Sequence, residues 1–295
     1  MNKIKRVGYA VGLIFIILAV SRLTFGWGFW AHQKVNEHAI DLLPEPLRSF
    51  YEQNKEYIVK ESVAPDLRRA ENKEEGYYHY MDLDKYGEYP FKNLPENYDD
   101  AVKRFGYDTV LKNGIVPWKV KWLTDSLSQA MERKDVPQVL RLSADLGHYV
   151  ADMHVPFHST ENYDGQLTGN IGIHFRWESG IPEHFGTNYN YEGIEPAVYF
   201  KHPDKKAFEI LTMSYKLILP SLKADSLAKV GLNGKRLYKV EREDGKKVYV
   251  YSNEYYEKFN KNLGGIVESQ MRLAIHDVAS YWYTAWVNAG KPKFW

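Results

Sequence analysis

Two stretches of this chain carry histidine and carboxylate side chains at a spacing that can grip a metal ion. His148 and Asp152 stand four residues apart, His174 and Glu178 repeat that spacing, and His158 lies between the pairs. On a helix, residues four apart project from one face about one turn apart, so each pair can offer an imidazole nitrogen and a carboxylate oxygen to one ion. One such pair alone is usually an ordinary polar contact on a helix surface. Two pairs with a histidine between them, in a chain with no cysteine, supply enough nitrogen and oxygen donors for more than one Zn²⁺. Upstream, Asp66 and His79 flank a polar stretch, and His32 stands earlier still. Histidine and carboxylate sets of this kind suit hydrolysis by metal-activated water.

Those side chains need rigid elements to hold them, and the spacing of apolar residues predicts mostly helices. The segment Val136 to Met153 repeats Leu140, Ala144, His148 and Ala151 at helical spacing. Pro156 must end it, which leaves His158 close to the pair but off its helical face. Helical patterns also run from Trp30 to Leu42, stop near Pro44, and resume from about Pro46 through Val59. Gly76 to Pro95 reads as irregular, helical spacing returns near Asp99 and again from Lys119 to Lys134, and Ser159 to Gly172 reads as a loop. A further helical stretch spans Lys205 to Lys229. The last runs from about Gly265 to Trp286, with Val267, Met271, Ala274, Val278, Tyr281 and Ala285 on one core-facing stripe. Arg236 to Tyr251 differs: its valines flank the turn signal Asp244-Gly245 and predict a solvated β-hairpin. The expected architecture is one all-α domain over residues 27–295 with a small hairpin insertion at about 236–251.

Composition narrows the setting. The 295 residues are 44% hydrophobic, enough to bury one substantial core. Lys3, Lys5 and Arg6 precede an apolar run from about Val7 to Val20, too short to span a bilayer comfortably but suited to a signal-peptide core. Thr24 and Gly26 meet the small-residue requirement for cleavage before Trp27, so residues 1–26 are expected to be a signal peptide and the protein to be exported, periplasmic or secreted. Cleavage there would remove four of the 39 basic residues and none of the 38 acidic ones, leaving a net charge of −3 and no clustered basic surface for holding nucleic acid through its phosphates. Without cysteine there are no disulfides and no thiolate metal ligands.

The run Trp27-Gly28-Phe29-Trp30-Ala31-His32 looks like the amino terminus of S1/P1-type nucleases. The order Asp66, His79, His148, Asp152, His158, His174, Glu178 resembles the ligand series of the zinc-dependent phospholipase C and P1 nuclease superfamily. This resemblance covers nearly the whole chain after residue 26. It implies the all-α phospholipase C/P1 nuclease-like fold and a cluster of about three zinc ions that hydrolyses phosphodiester bonds. One zinc would be held by Asp66, His79, His148 and Asp152, and a second by His158, His174 and Glu178. The third would take the Trp27 amino group and carbonyl, His32 and a bridging Asp152. That third site needs the free Trp27 amino group, so export and completion of the site are linked. Asp66 is the expected catalytic residue, orienting or deprotonating the attacking water in addition to binding metal.

Two features divide the substrate question. The Trp27 to His32 spacing resembles the nuclease arm, whereas Glu178 in place of Asp and the short step from His158 to His174 resemble the phospholipase C arm. A phospholipid headgroup is the preferred substrate, with single-stranded nucleic acid as the alternative. A non-catalytic zinc-binding envelope protein is a more remote reading. Tyr163, Phe175 and Trp177 could line a substrate pocket, or the last two could be core. His154 is expected in the core or supporting the ligands, Asp145 could orient a ligand, and Asp82 and Asp84 read as solvated loop acids. His38, His184, His202 and His276 are given no metal role, and no stable protein partner or membrane span after residue 26 is expected.

Overall fold

In a computed structural model, residues 27–243 and 246–294 are described. The expected signal peptide, residues 1–26, and the turn signal Asp244-Gly245 lie outside them. Helices α1 (Phe29–Asp41), α2 (Leu47–Gln53), α3 (Lys55–Glu61) and α4 (Ala64–Arg68) open the chain. Short 3₁₀ turns at Lys73–Tyr78 and Leu83–Tyr86 follow, then α5 (Tyr98–Phe105), α6 (Tyr107–Lys112), α7 (Val116–Glu132) and α8 (Val136–Asp152). After a loop come α9 (Ile173–Phe175), a π-helical turn (Arg176–Gly180) and α10 (Ile181–Phe185), forming one continuous run. The chain ends in α11 (Pro203–Tyr215), α12 (Ile218–Lys229), α13 (Gly234–Leu237), the strands β1 (Tyr238–Glu243) and β2 (Lys246–Tyr251), α14 (Asn253–Leu263) and α15 (Ile266–Asn288). The fold is thus all-α with a two-stranded antiparallel hairpin, in which Tyr238 pairs with Tyr251. None of the described helices is long and apolar enough to cross a membrane.

α8 is the axis of the molecule. The Asp135 carboxylate accepts the Gln138 N–H at its start, and Pro137 sits in the first turn, where no intrahelical N–H is needed. Every residue from Leu142 to Asp152 is buried, so this helix must be covered on several sides. It is covered by α7, α15, α3 and α1. The buried indole of Trp282 on α15 donates to the Ser143 carbonyl (2.9 Å), and that of Trp27 donates to the Ala151 carbonyl (2.7 Å). Both rings are thereby buried with their one polar group satisfied.

α1 crosses α8 at a glycine. A Cβ on Gly147 would lie 2.2 Å from the Asn36 side chain, so only hydrogen lets the two backbones come this close. The crossing sets His32, one turn before Asn36, against His148, the residue after Gly147, and their rings stack with centroids 3.9 Å apart.

Two elements differ from the sequence reading. Lys205 to Lys229 is two helices rather than one: Pro220 lacks the N–H that would bond Lys216 and its ring crowds that carbonyl, so the chain breaks between α11 and α12. α14 was not read from the sequence. It is capped by Ser252, whose hydroxyl accepts the Tyr255 N–H (3.2 Å), and stopped by Gly264 and Gly265, both at positive φ.

Candidate metal centre

The carboxyl-terminal turn of α8 brings His148 and Asp152 to the corner between α3 and α4. The Ser62 carbonyl there lies 2.8 Å from His148 Nδ1 and can only accept, so Nδ1 carries the proton and Nε2 presents its lone pair inward. His148 Nε2 lies 3.1 Å from His79 Nδ1, 3.3 Å from Asp152 Oδ2 and 3.8 Å from Asp66 Oδ1. His79 Nδ1 in turn lies 3.0 Å from Asp152 Oδ2 and 3.7 Å from Asp66 Oδ1. Tetrahedral donors about 2.0–2.1 Å from a zinc ion stand about 3.3–3.4 Å from one another. These five separations bracket that value. Asp152 turns its other oxygen away, so that Oδ1 lies 3.4 Å from His32 Nε2.

A second group forms beside the first. His158 Nδ1 donates to the His79 carbonyl (2.6 Å), and the Met81 N–H donates to the His158 carbonyl (2.9 Å), a reciprocal clasp between two segments that carry candidate ligands. The clasp leaves His158 Nε2 free to face Glu178 Oε2 at 3.3 Å, while His174 Nε2 approaches the same oxygen at 2.9 Å.

Glu178 lies in the π turn, and the sequence explains the turn. Pro182 has no N–H to bond the Glu178 carbonyl four residues back, and its ring would clash with that carbonyl in a regular α-helix. The helix widens instead, and the Gly28 N–H takes the orphaned carbonyl (3.2 Å). A Cβ on Gly28 would lie 2.6 Å from Ser179 Oγ, so glycine is what permits this docking of the amino-terminal segment. The Trp27 and Trp177 rings seal it, with centroids 5.1 Å apart.

Among the described residues, three groups could hold a metal ion: His32, Asp66 and His148; His79, His148 and Asp152; and His158, His174 and Glu178. All eight side chains are buried. Burial holds His79 down to about 3 and lowers His32, His158 and His174 as well, so these rings are neutral and can donate lone pairs. Burial also pushes the Glu178 carboxyl well above its usual range, with Asp152 and Asp66 adding repulsion. Neither ring nitrogen of His174 makes a hydrogen bond, nor does Glu178 Oε1. Buried carboxylates among neutral imidazoles, with unbonded polar atoms, form a donor set that suits divalent cations and is costly without them.

The remaining sequence expectations fall on both sides. Tyr163 is half exposed, with its ring 6.2 Å from that of His174, and Phe175 is partly buried. Trp177 is fully buried against Trp27 and Phe157, so it is a core residue and not part of a substrate pocket. Asp145 is turned towards Arg68 (3.0 Å) and Arg141, away from the donors it was expected to orient. His154 pairs with Asp277 (3.3 Å) in the core. Arg69 escaped the sequence reading: its guanidinium lies 3.7 Å from Asp66 Oδ1 and is partly exposed, a cation at the edge of an acidic interior. Its position one turn after Asp66 was the available signal.

Asp84 and Asp82 are not solvated loop acids. Asp84 accepts from Thr160 (2.5 Å) and from the Glu161 N–H (3.1 Å), tying the loop after α8 to the segment after His79. Burial pushes the Asp82 carboxyl up to about 7, with Asp84 and Glu161 adding to the shift and Lys85 opposing it. A folded-state value above the ordinary 3.8 means that Asp82 contributes fully below that pH and that the contribution is lost as pH rises through about 7. Asp82→Asn is therefore expected to stabilise the protein at pH 8 by on the order of 2 kcal/mol and to change little near pH 4. Urea denaturation of variant and wild type at both pH values checks this.

The fold is similar to that of a clostridial toxin. The solved structure of the alpha toxin from Clostridium absonum superposes with a TM-score of 0.51 at 12% sequence identity, over 86% of this chain and 62% of the toxin. The chain thus spans less than two thirds of that protein's length. No protein-family model matches the sequence, and no curated protein matches it.

Proposed function

We propose that the protein is an exported phosphodiester hydrolase of the zinc-dependent phospholipase C type, working with about three zinc ions. The observation that carries this reading is the close grouping of His79, His148 and Asp152, with Asp66 3.7 and 3.8 Å from the two histidines and His158, His174 and Glu178 grouped beside them. The first four would hold one zinc and the next three a second, which leaves an open position there for water or substrate. His32 and a bridging Asp152 would hold a third with the Trp27 amino group and carbonyl. The split of the Asp152 oxygens, one towards His79 and His148 and one towards His32, supports the bridge. A mature terminus at Trp27, after removal of residues 1–26 as a signal peptide, would place that amino group next to Gly28, which docks on the Glu178 carbonyl.

Bound zinc supplies Lewis acidity, which lowers the pKa of water to about 7 and offsets the charge of a phosphodiester. The chain's own residues do the rest. Asp66 stands between His79, His148 and Arg69, placed to take the proton of the attacking water. Arg69 pairs with that carboxylate and adds a partly exposed cation beside it, which would favour an anionic substrate. The Ser62 and His79 carbonyls fix the tautomers of His148 and His158, keeping the inward nitrogens unprotonated.

The test is hydrolysis of phosphatidylcholine vesicles and of single-stranded DNA, in parallel, by zinc-loaded protein beginning at Trp27, each with a chelator control. Chelator-sensitive release of phosphocholine is the expected result. DNA cleavage instead would move the assignment to the nuclease arm, and no chelator-sensitive activity on either would leave a zinc-binding role. Asp66→Asn is expected to lower the rate about a hundredfold or more, the scale of a lost general base, with at most one zinc fewer per chain.

A further inference from the structure

α12 faces water with the residues that surface helices normally bury. Its exposed positions are Leu219, Pro220, Lys223, Ser226 and Leu227, with Val230 just beyond its end, while its one acid, Asp225, is buried and paired with Arg176. Leu219, Leu227 and Val230 are each about three-fifths exposed, at 59%, 60% and 65%. The loop between α8 and α9 continues the surface. Leu167 and Ile171 are 64% and 57% exposed, and Thr168 and Asn170 share one shallow groove with Leu219, Leu222, Lys223 and Leu227. The exposed residues from 163 to 171 are all uncharged, and the one acid of this loop, Asp164, is partly buried. The patch also leads to the candidate centre, because Ile171 is three residues before His174 and the Tyr163 ring stands beside that histidine.

We infer that this face, formed by α12 and the 163–171 loop, docks on a phospholipid bilayer. A contiguous apolar surface of this kind marks an interaction site. The chemistry favours lipid over a protein partner. Lys223 lies among the leucines and Lys216 at the head of the helix, with no exposed carboxylate on α12 to repel an anionic surface. Leucine side chains can enter the acyl boundary while lysine stems reach up to the phosphates. Docking here brings headgroup phosphodiesters to the rim of the centre beside Tyr163. The inference rests on the lipid reading of the proposed function, but it predicts binding that does not need catalysis.

The test is co-sedimentation of protein beginning at Trp27 with phosphatidylcholine vesicles containing a minor fraction of phosphatidylserine. Among the described residues every core residue lies at position 27 or later, so this form contains all of the described core. The wild type should sediment with vesicles whether or not chelator is present. L219E/L227E should bind at least about tenfold more weakly, while turnover of dissolved short-chain phosphatidylcholine stays within about twofold. Vesicle binding by the variant equal to that of the wild type would overturn the inference, and so would a wild type that ignores vesicles but self-associates through these leucines. Vesicle binding lost in the variant, with no lipid hydrolysis by either form, would uphold the docking face and remove the hydrolase reading.

Discussion

His148→Ala is expected to lower hydrolysis at least about a thousandfold, since in the proposed function several kcal/mol of charge stabilisation would depend on the ions it would help to hold. It should also cost more bound zinc than His158→Ala. The asymmetry follows from the geometry. His148 is close both to His79 and Asp152 and to His32 and Asp66, so its loss would disturb the zinc it is proposed to hold and the neighbouring one at His32, whereas His158 is close only to His174 and Glu178. His148 also stacks on His32, so its removal loosens a neighbour that faces Asp152. Zinc per chain, measured by elemental analysis after dialysis, separates the two variants. His154→Asn is the control. It disturbs a core pair with Asp277 and should lower stability while leaving zinc content unchanged. Equal zinc losses from the two alanine variants would overturn the shared-ligand arrangement, and full activity in either would remove the site from the chemistry.

The residues that carry this expectation were largely legible in the sequence, because metal donors announce themselves by type and by helical spacing. His148 and Asp152 are four apart on a helix whose apolar repeat and proline stop are plain, and the structure places them as that repeat implies. His174 and Glu178 show the same spacing, but their geometry depends on Pro182, four residues beyond Glu178, which turns a regular helix into a π turn. Contacts between distant segments leave a fainter mark. Gly147 reads as a weak point in a helix until Asn36 is seen against it, and Trp177 reads equally well as pocket or core until Trp27 packs on it. Asp82 and Asp84 sit in a polar segment, and nothing local reveals that the loop after α8 folds over them. Arg69 was hidden for a different reason: arginine is common on surfaces, and only its place beside Asp66 gives it meaning.

Replacing Arg176 with methionine is expected to destabilise the protein by about 3–5 kcal/mol, the cost of breaking a buried ion pair from one side. For a chain of this size that is a fall in melting temperature of about 5–10 °C. Arg176 is almost wholly buried and its donors are nearly all spent: Nε on the Tyr255 hydroxyl (2.8 Å), Nη1 on the Ile171 carbonyl (2.7 Å), and Nη2 on the Asn170 carbonyl (3.1 Å) and Asp225 (2.9 Å). A lysine ammonium cannot span these four acceptors, so Arg176→Lys should recover only part of the loss. Burial alone would raise the Asp225 carboxyl, but Arg176, Lys229, Tyr255 and Asn170 outweigh it and hold the group below its ordinary range. A depressed folded-state value gives stability that is present above the ordinary carboxylate range and lost as pH falls through it, so wild type and variant should converge in acid. Arg176 stands between His174 and Glu178 in the chain, and its bonds to Ile171 and Asn170 pin the loop that leads into them. The methionine variant should therefore bind zinc more weakly at the group of His158, His174 and Glu178 while keeping the ions around His148. Added zinc should then restore part of its lost stability, because ligand binding to the folded state alone shifts unfolding by mass action. A loss below about 1 kcal/mol, or a zinc deficit centred on His148 instead, would show that the clamp does not hold the second donor group in place.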